Sequence, residues 1–298
     1  MIRLQSNRLK VEISEPMEGS NRGFRFDHAG FVSEVELDGL VRFCASEPKN
    51  LRHPSTLGRG LCNEYKFDVS GEVGVGEWFP KFGVGLFRKW QDKNYHFDDT
   101  YPVTQLFPIH VSNNESEAVF VTEPVLCLGY ALKAVKTIRV ADNRLLMEIE
   151  ATNAGDRPIL QMAEYCHNFI SIDGMALGSD YQLDLPQCPD FGEERLFNSL
   201  QRKGSFRGRG RGVTFCEFTA VDTDLPVDID TVDRSEPFTW TLRHLGARAQ
   251  VFCEHGFAPG EVSIWAVDHM VCPEISNVVD LAPGETKRWS YQWTFEQM

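Results

Sequence analysis

The 298-residue sequence lacks a positive charge excess, a long apolar run and a signal-like N-terminus. Its formal net charge of −13 argues against a nucleic-acid or anionic-membrane partner, because both attract a basic face. No stretch approaches the roughly 18 apolar residues that a bilayer-spanning helix needs, and MIRLQSNRLKVEIS at the N-terminus has no apolar signal region. We therefore expect a cytoplasmic protein that binds neither nucleic acid nor membrane.

Several motifs that carry well-known chemistry are also missing. The eight cysteines are scattered singly without a C-x-x-C pair, which predicts buried reduced thiols. The sequence contains no H-E-x-x-H, no G-x-S-x-G and no phosphate-binding glycine loop of the expected spacing. The eight histidines show no paired ligand spacing. We expect neither a metal nor a cofactor.

The dominant pattern that is present is the alternation of apolar and polar residues. RLLMEIEATN places Leu145, Met147 and Ile149 on one face, and with the preceding KTIRV and the turn ADN it predicts a hairpin over residues 134–151. RWSYQWTF places four aromatic side chains on one face, which is typical of a core strand. Further strands are predicted in LKVEI, GFVSEVEL, TQLFPIHV, AVFVTE, GVTFCEFTAV, FTWTL, AQVFCE and VSIWAV.

Fold class follows from this pattern. Helical periodicity is limited to EERLFNSLQRK at 193–203, and the chain has neither an internal repeat nor a linker rich in Pro, Gly or Ser. The 42% of hydrophobic residues are enough for a sizeable core. The many short strands predict an all-β protein in which residues 1–298 form one large antiparallel β-sandwich with few short helices. Residues 52–100 and 174–212 show few clear strands and are predicted to be functional loops or covers over a site.

One histidine and one glutamate stand out as candidate reactive groups. AEYCHNFISIDG delivers His167 at the end of an apolar strand, either as a packed core imidazole or as an acid–base group above a pocket. Glu274 follows Pro273 at a predicted turn between two strands. There it is either a solvated turn residue or a partly desolvated carboxylate whose raised pKa suits a general base.

Three segments occur in an order that resembles a known family: HAGFVSEVELDG, MEIEATNAGDRPILQMAEYCHNF and CPEISNVVDLAPGETKRWSYQWTF. They are similar to the aldose 1-epimerases (galactose mutarotases) and cover most of the chain. Asn153 to Pro158 match the family's turn before the histidine strand, and Leu281 to Glu285 match its closing turn. GEWFPKFGVGLFRKW partly resembles the hexose-6-phosphate mutarotase branch, but Val84 stands where that branch has a histidine.

The resemblance implies a galactose mutarotase-like supersandwich that interconverts the α and β anomers of a sugar. It implies that Glu274 is the base acting on the C1 hydroxyl and that His167 is the acid acting on the ring oxygen, without a cofactor. The partner would be a free or anionic small-molecule sugar, and the protein a monomer or homodimer. The candidate substrate-binding residues are Arg25, Asp27, Arg59, Trp78, Arg88, Trp90 and His96, with His96 a candidate replacement for the missing histidine.

Other interpretations stay open on the sequence. The missing histidine favours a non-catalytic carbohydrate-binding protein or sensor on the same sandwich. A lyase or hydrolase is a third alternative, disfavoured because no appended helical domain is recognisable. Lone arginines such as Arg25, Arg59 and Arg88 also commonly form surface ion pairs. The segment RKGSFRGRGRG is either a flexible hairpin loop or a set of arginines that grips a phosphate or carboxylate of the substrate.

Overall fold

A computed structural model describes residues 1–19, 21–47, 57–99, 101–192, 196–198, 205–216 and 223–298. Within these ranges the chain forms antiparallel strands with only three helical segments, each a single 3-10 turn, at Ser70–Glu72, Ile172–Gly174 and Ile229–Thr231. The all-β prediction is confirmed. None of the helices described is long and apolar enough to cross a membrane.

The strands are numbered in chain order. The first part of the chain forms β1 (Ile2–Gln5), β2 (Leu9–Ser14), β3 (Phe31–Leu37), β4 (Val41–Arg42), β5 (Gly60–Lys66), β6 (Trp78–Lys81), β7 (Gly85–Arg88) and β8 (Val103–Leu106). The middle part forms β9 (Ile109–Asn113), β10 (Glu117–Thr122), β11 (Leu132–Ala141), β12 (Arg144–Asn153), β13 (Ile159–Phe169), β14 (Tyr181–Asp184), β15 (Leu196–Asn198) and β16 (Ser205–Gly208). The last part forms β17 (Gly212–Phe215), β18 (Thr223–Val227), β19 (Thr239–His244), β20 (Ala249–His255), β21 (Glu261–Val267), β22 (Met270–Leu281) and β23 (Thr286–Gln297).

The described strands form three sheets. The first sheet has the order β1-β2-β3-β5-β13-β22-β21-β18, with β4 paired to β3. The second has the order β15-β16-β17-β14-β19-β20-β23-β12-β11-β10-β9, and β6-β7-β8 form a small third sheet. Side chains of β13 and β23 meet across the core, where Tyr291 Oη donates to Glu164 and Trp293 Nε1 donates to Asn168. The two large sheets therefore face each other as the two layers of a sandwich.

The strands with the clearest alternation are found where the sequence predicts them. β11 and β12 form the predicted hairpin around residues 142–143, and Leu145, Met147 and Ile149 are buried on one face of β12. The four aromatic residues of RWSYQWTF are likewise buried on one face of β23. Burying one side chain in every two supplies the apolar area that holds two sheets together.

Three local predictions are wrong. The helix predicted for 193–203 is a strand where the structure describes it, because Leu196–Asn198 pair with β16; its other residues lie outside the described ranges. A short helix is marginal in water, so an available strand edge decides the conformation. TQLFPIHV forms two strands in different sheets, parted at Pro108, which has no N–H to give to a ladder.

The third correction concerns residues 52–100, which are predicted to be mostly loops. This segment contains three strands, β5, β6 and β7. Polar residues at buried positions of GLCNEYK hide the apolar pattern of β5. Residues 174–212 likewise include β14, β15 and part of the β16–β17 hairpin. In RKGSFRGRGRG the described part, from residue 205 onward, belongs to that hairpin, and Arg209 pairs with Asp184.

Candidate functional site

His167 lies near the end of β13, on the face of the first sheet that points away from the second sheet. Its side chain is only 1% exposed, because aromatic rings surround it. The Tyr165 ring lies 4.3 Å from the imidazole between centroids, the Phe26 ring meets it edge-on at 4.9 Å, and the Phe169 ring stacks on it at 5.4 Å. This packing fixes the plane of the imidazole.

Glu274 is the nearest acidic neighbour on the adjacent strand. Its Oε1 lies 2.9 Å from Nδ1 of His167, and its side chain is 20% exposed. The oxygen is not aligned for a hydrogen bond, so the buried Nδ1 has no hydrogen-bond partner among the described residues. The structure thus brings the two predicted reactive groups together, with Glu274 as the member open to solvent.

The predicted turn at Glu274 is wrong, because the residue lies inside β22. Pro273 accounts for the error, since proline is uncommon in a central strand. The paired residues of β13 and β22 run as far as Tyr165 with Ser276, then resume after a gap at Ile170 with Val271.

A side chain bridges this gap in the ladder. Nδ2 of Asn168 donates to the Pro273 carbonyl at 2.6 Å, and Oδ1 of Asn168 accepts from Trp293 Nε1 at 3.0 Å. Asn168 therefore replaces a missing backbone hydrogen bond at the position where His167 meets Glu274.

The predicted rise in the pKa of Glu274 is also wrong. Burial does raise the pKa of this carboxyl, but the His167 ring, Arg25 and Lys66 together outweigh burial, and the pKa lies below its ordinary value. The carboxylate is therefore ionised at neutral pH and can accept a proton.

A second carboxylate lies on the other side of the imidazole. Oε2 of Glu64 lies 3.2 Å from Nε2 of His167 and accepts hydrogen bonds from Arg25 Nε at 2.8 Å and Tyr165 Oη at 2.9 Å. Its Oε1 accepts from Lys81 Nζ at 3.3 Å. Burial opposes the charge of Glu64, but Arg25, Lys81 and His167 outweigh burial and hold its pKa well below the usual range. Glu64 is thus a buried, ionised carboxylate.

Two cationic side chains cover this part of the sheet. The Arg25 guanidinium lies 4.1 Å from the centroid of the Phe97 ring and 3.9 Å from Glu47. The exposed Lys66 places its Nζ 4.4 Å from the centroid of the Tyr165 ring. Of the seven predicted substrate-binding residues, Arg25 is the one with a direct contact to the groups around His167.

Asp27 lies between the two large sheets in what we call the inner cluster: Asp27, Asn63, Lys136, Glu164, Trp289 and Tyr291. Lys136 Nζ donates to Asp27, to the carbonyl of Ala29 and to Asn63 at 2.7, 2.7 and 2.8 Å. Glu164 accepts from Asn63 at 2.7 Å, from Trp289 at 2.5 Å and from Tyr291 at 2.8 Å. Asp27 therefore belongs to a buried network.

Other predicted residues also have protein partners. Arg59 donates to the Ser33 carbonyl and to Ser46 at 2.8 and 2.9 Å and pairs with Glu34 at 3.3 Å. His96 stacks on Phe97 at 4.8 Å between centroids, so it approaches the site only through the ring that carries Arg25.

The remaining three lie in or beside the small third sheet. Trp78 and Arg88 are cross-strand neighbours on β6 and β7, and Arg88 Nε donates to the Gly76 carbonyl at 3.0 Å. Trp78 is 42% exposed and Trp90 is 50% exposed. These contacts do not test the sugar-binding roles predicted for the three residues, so the roles stay predictions.

One cluster in the described part of the chain offers three metal-ligand atoms. The ligand atoms of His167, Cys272 and Glu274 lie within 4.8 Å of one another. However, burial and the neighbouring Glu274 charge raise the pKa of the Cys272 thiol well above its usual range. In the absence of a metal ion the thiol is therefore protonated at neutral pH, and a metal ligand at Cys272 would require its deprotonation.

Sequence reasoning missed Glu64, Tyr165 and Lys66. The available signal was a charged residue in the middle of the short strand GLCNEYK, since a buried carboxylate requires partners. All eight cysteines are unpaired, as predicted, but only five of them are buried, because Cys44, Cys127 and Cys216 are partly exposed.

The fold is that of the galactose mutarotase-like sandwich. A galactose mutarotase-like protein from Lactobacillus casei ATCC 334 is 12% identical, with a TM-score of 0.56 over 99% of this chain and 100% of that chain. The GalM/aldose epimerase homologue from C. elegans is 12% identical (TM-score 0.54, 100% and 98% covered), and the Slr1438 protein from Synechocystis sp. PCC 6803 is 10% identical (TM-score 0.62, 100% and 96% covered). No family model and no curated protein matches the sequence. At these identities the likeness establishes the fold alone.

Proposed function

We propose that the protein is an aldose 1-epimerase-like enzyme that interconverts the α and β anomers of a sugar. The observation that carries the proposal is the 2.9 Å approach of Glu274 to Nδ1 of His167. Opening a cyclic sugar requires a base and an acid side by side, because one proton leaves the C1 hydroxyl while another joins the ring oxygen. The sandwich shared with galactose mutarotase-like structures supports the same reaction.

The reaction can be written with these two residues. Ionised Glu274 takes the proton of the C1 hydroxyl, and protonated His167 gives a proton to the ring oxygen. The bond between C1 and the ring oxygen breaks, and the open-chain aldehyde forms. After rotation about the C1–C2 bond the two transfers run in reverse, the ring closes on the other face, and both residues regain their starting protonation.

Burial and charge give the two groups suitable properties. The low pKa of Glu274 keeps it in the form that accepts a proton at neutral pH. Nδ1 of His167 lies beside Glu274 without forming a hydrogen bond, so a sugar oxygen that reaches this nitrogen can satisfy it. Because Glu274 is 20% exposed and His167 only 1%, we expect the sugar to approach from the Glu274 side.

The surface next to Glu274 suits a sugar ring with an acidic group. Trp265 lies on β21 opposite Cys272 and packs edge-on against Phe169 with centroids 6.0 Å apart. A partly exposed indole offers an apolar surface to a sugar ring. Exposed Lys66, whose charge lowers the pKa of Glu274, is the cation placed to attract a carboxylate or phosphate. We therefore infer an anionic sugar ahead of a neutral one.

A non-catalytic carbohydrate-binding protein is the second candidate. The observation that favours it is the enclosure of His167, whose two ring nitrogens both face protein carboxylates. A histidine held in this way delivers a proton to the sugar only if the sugar oxygen reaches Nδ1 beside Glu274.

Exchange NMR on a sugar panel separates the two candidates. The panel contains galactose, glucose, fucose, rhamnose, glucose 6-phosphate and galacturonate. The wild-type protein should accelerate α/β exchange of at least one sugar, and Glu274→Gln and His167→Ala should each slow it by about 10²–10⁴-fold. Glu123→Gln is the control and should match the wild type, because it changes a partly exposed glutamate that directly follows β10 in the second sheet. Exchange at the buffer rate on every sugar, with line broadening for one of them, would favour the binding protein.

A further inference from the structure

The buried carboxylate of Glu64 has no part in the two-residue mechanism above. It lies on β5 directly opposite Tyr165, and its side chain is 3% exposed. Placing an ionised carboxylate in a sheet interior is costly unless charges and hydrogen bonds compensate it. Glu64 therefore requires a structural or functional explanation.

The partners of Glu64 all donate hydrogen bonds to its carboxylate, which therefore acts only as a hydrogen-bond acceptor. Arg25, Lys81 and Tyr165 all donate to its two oxygens. Two cations at hydrogen-bond distance hold the pKa of Glu64 well below its ordinary range, despite burial. An ionised carboxylate has no proton to donate, so a ring nitrogen that forms a hydrogen bond with it has to supply the hydrogen.

That nitrogen is Nε2 of His167, at 3.2 Å. The opposite nitrogen, Nδ1, lies 2.9 Å from Glu274 Oε1 on the solvent side of the site, but this contact does not have hydrogen-bond geometry. In a neutral imidazole one nitrogen carries the hydrogen and the other is a free acceptor, and the hydrogen bond of one nitrogen decides the role of the other. With Nε2–H directed at Glu64, Nδ1 is the nitrogen that gains and loses the mobile proton.

We infer that Glu64 is a positioning residue that fixes the Nε2-protonated form of His167 and so makes Nδ1 the atom that exchanges a proton with the sugar. The inference rests on the proposed function for its consequence in catalysis. Its chemical content, the tautomer of one histidine, belongs to the resting protein and needs no substrate.

The tautomer is measured directly by long-range proton–nitrogen NMR on protein with 15N-labelled histidine. The signals of His167 are those absent from His167→Ala. In the neutral ring, the wild-type protein should show the hydrogen on Nε2, and Glu64→Gln should show a mixture of the two tautomers. A neutral wild-type ring with the hydrogen on Nδ1 would overturn the inference, as would an unchanged tautomer in Glu64→Gln.

The kinetic consequence is a split between turnover and binding. Glu64→Gln should lower kcat of anomer exchange by about 10²-fold, since a wrongly protonated imidazole loses most of its acid–base advantage. KM should stay within about twofold, because Glu64 does not face the sugar. If Glu64→Gln does not fold, Glu64→Asp keeps the charge but withdraws the carboxylate from Nε2, and should lower kcat in the same way.

Glu72→Gln is the matched control. Glu72 also accepts hydrogen bonds from an arginine and a tyrosine, Arg157 and Tyr130, but it is exposed and has no contact with His167. In Glu72→Gln, the tautomer of His167 and the kcat of anomer exchange should equal those of the wild type. If no sugar is exchanged by the wild-type protein, the proposed function fails while the tautomer result still decides the role of Glu64. If sugar is exchanged and Glu64→Gln turns over normally, only the inference about Glu64 fails.

Discussion

Strands β5 and β13 carry two polar clusters on opposite faces. The outer cluster, on the face away from the second sheet, consists of Arg25, Glu64, Lys81, His167 and Glu274. The inner cluster lies between the sheets around Lys136 and Glu164. Each buried network includes one residue of β5 and one of β13, yet only the outer one includes a side chain with appreciable exposure, Glu274. The same backbone therefore supports a closed network on one face and an open one on the other.

The central carboxylates of the two clusters titrate in opposite directions. Glu64 meets two cations directly, and its pKa falls well below the ordinary range. Glu164 meets only neutral donors directly, since Lys136 reaches it through Asn63, and burial raises its pKa to about 7. Direct contact with a cation, rather than the number of hydrogen bonds, decides whether a buried carboxylate stays ionised here.

The largest expected effect on stability comes from the inner cluster. Lys136→Met removes the cation that compensates buried Asp27, so we expect the free energy of unfolding to fall by about 3–5 kcal/mol. Urea denaturation followed by tryptophan fluorescence measures the change. Lys133→Met alters an exposed lysine on the same strand and should change stability by less than about 0.5 kcal/mol. Equal stability of the two variants would show that the inner cluster contributes nothing.

The next effect is the pH dependence caused by Glu164. Its folded pKa of about 7 exceeds the value of 4.5 for an unperturbed glutamate, so the folded state keeps a proton that the unfolded state releases. The stability that depends on this proton is complete below about pH 4.5 and is lost as the pH rises to about 7, by roughly 3 kcal/mol. The difference in unfolding free energy between wild type and Glu164→Gln should therefore decrease by that amount between pH 4.5 and 8. A constant difference would mean that Glu164 is ionised throughout.

A smaller effect is expected at the open edge of the outer cluster. Lys66→Ala should raise KM for galacturonate or glucose 6-phosphate by about fivefold and leave KM for galactose unchanged, because an exposed ion pair is worth up to about 1 kcal/mol. Lys10→Ala, which removes an exposed lysine on β2, is the control. An equal change in KM for galactose would exclude a role of Lys66 in recognising the charge of the sugar.

The sequence predicts the strands of the second sheet better than the strands of the first sheet that carry the candidate site. Alternation finds β11, β12 and β23 because each buries one face and exposes the other. β5 and the end of β13 are buried on both faces, so alternation is lost there.

The site shows the same division. The order of segments predicts His167 and Glu274 as site residues, because both lie in long central strands that the family resemblance covers. Glu64 and Lys66 come from β5, which pairs with β13 only in the folded sheet. The low pKa of Glu274 likewise depends on Arg25, Lys66 and His167, which come from three separate segments. Such contacts between distant parts of the chain leave no local pattern to read.

The division of roles between the two clusters has one direct test. The rate of α/β exchange on the best sugar of the panel is measured at pH 8 for the wild type, Glu274→Gln and Glu164→Gln. At this pH, we expect Glu274→Gln to be slower by about 10²-fold or more, and Glu164→Gln to lie within about twofold of the wild type. Equal losses in both variants, or wild-type exchange by Glu274→Gln, would contradict the assignment of the outer cluster as the reactive site.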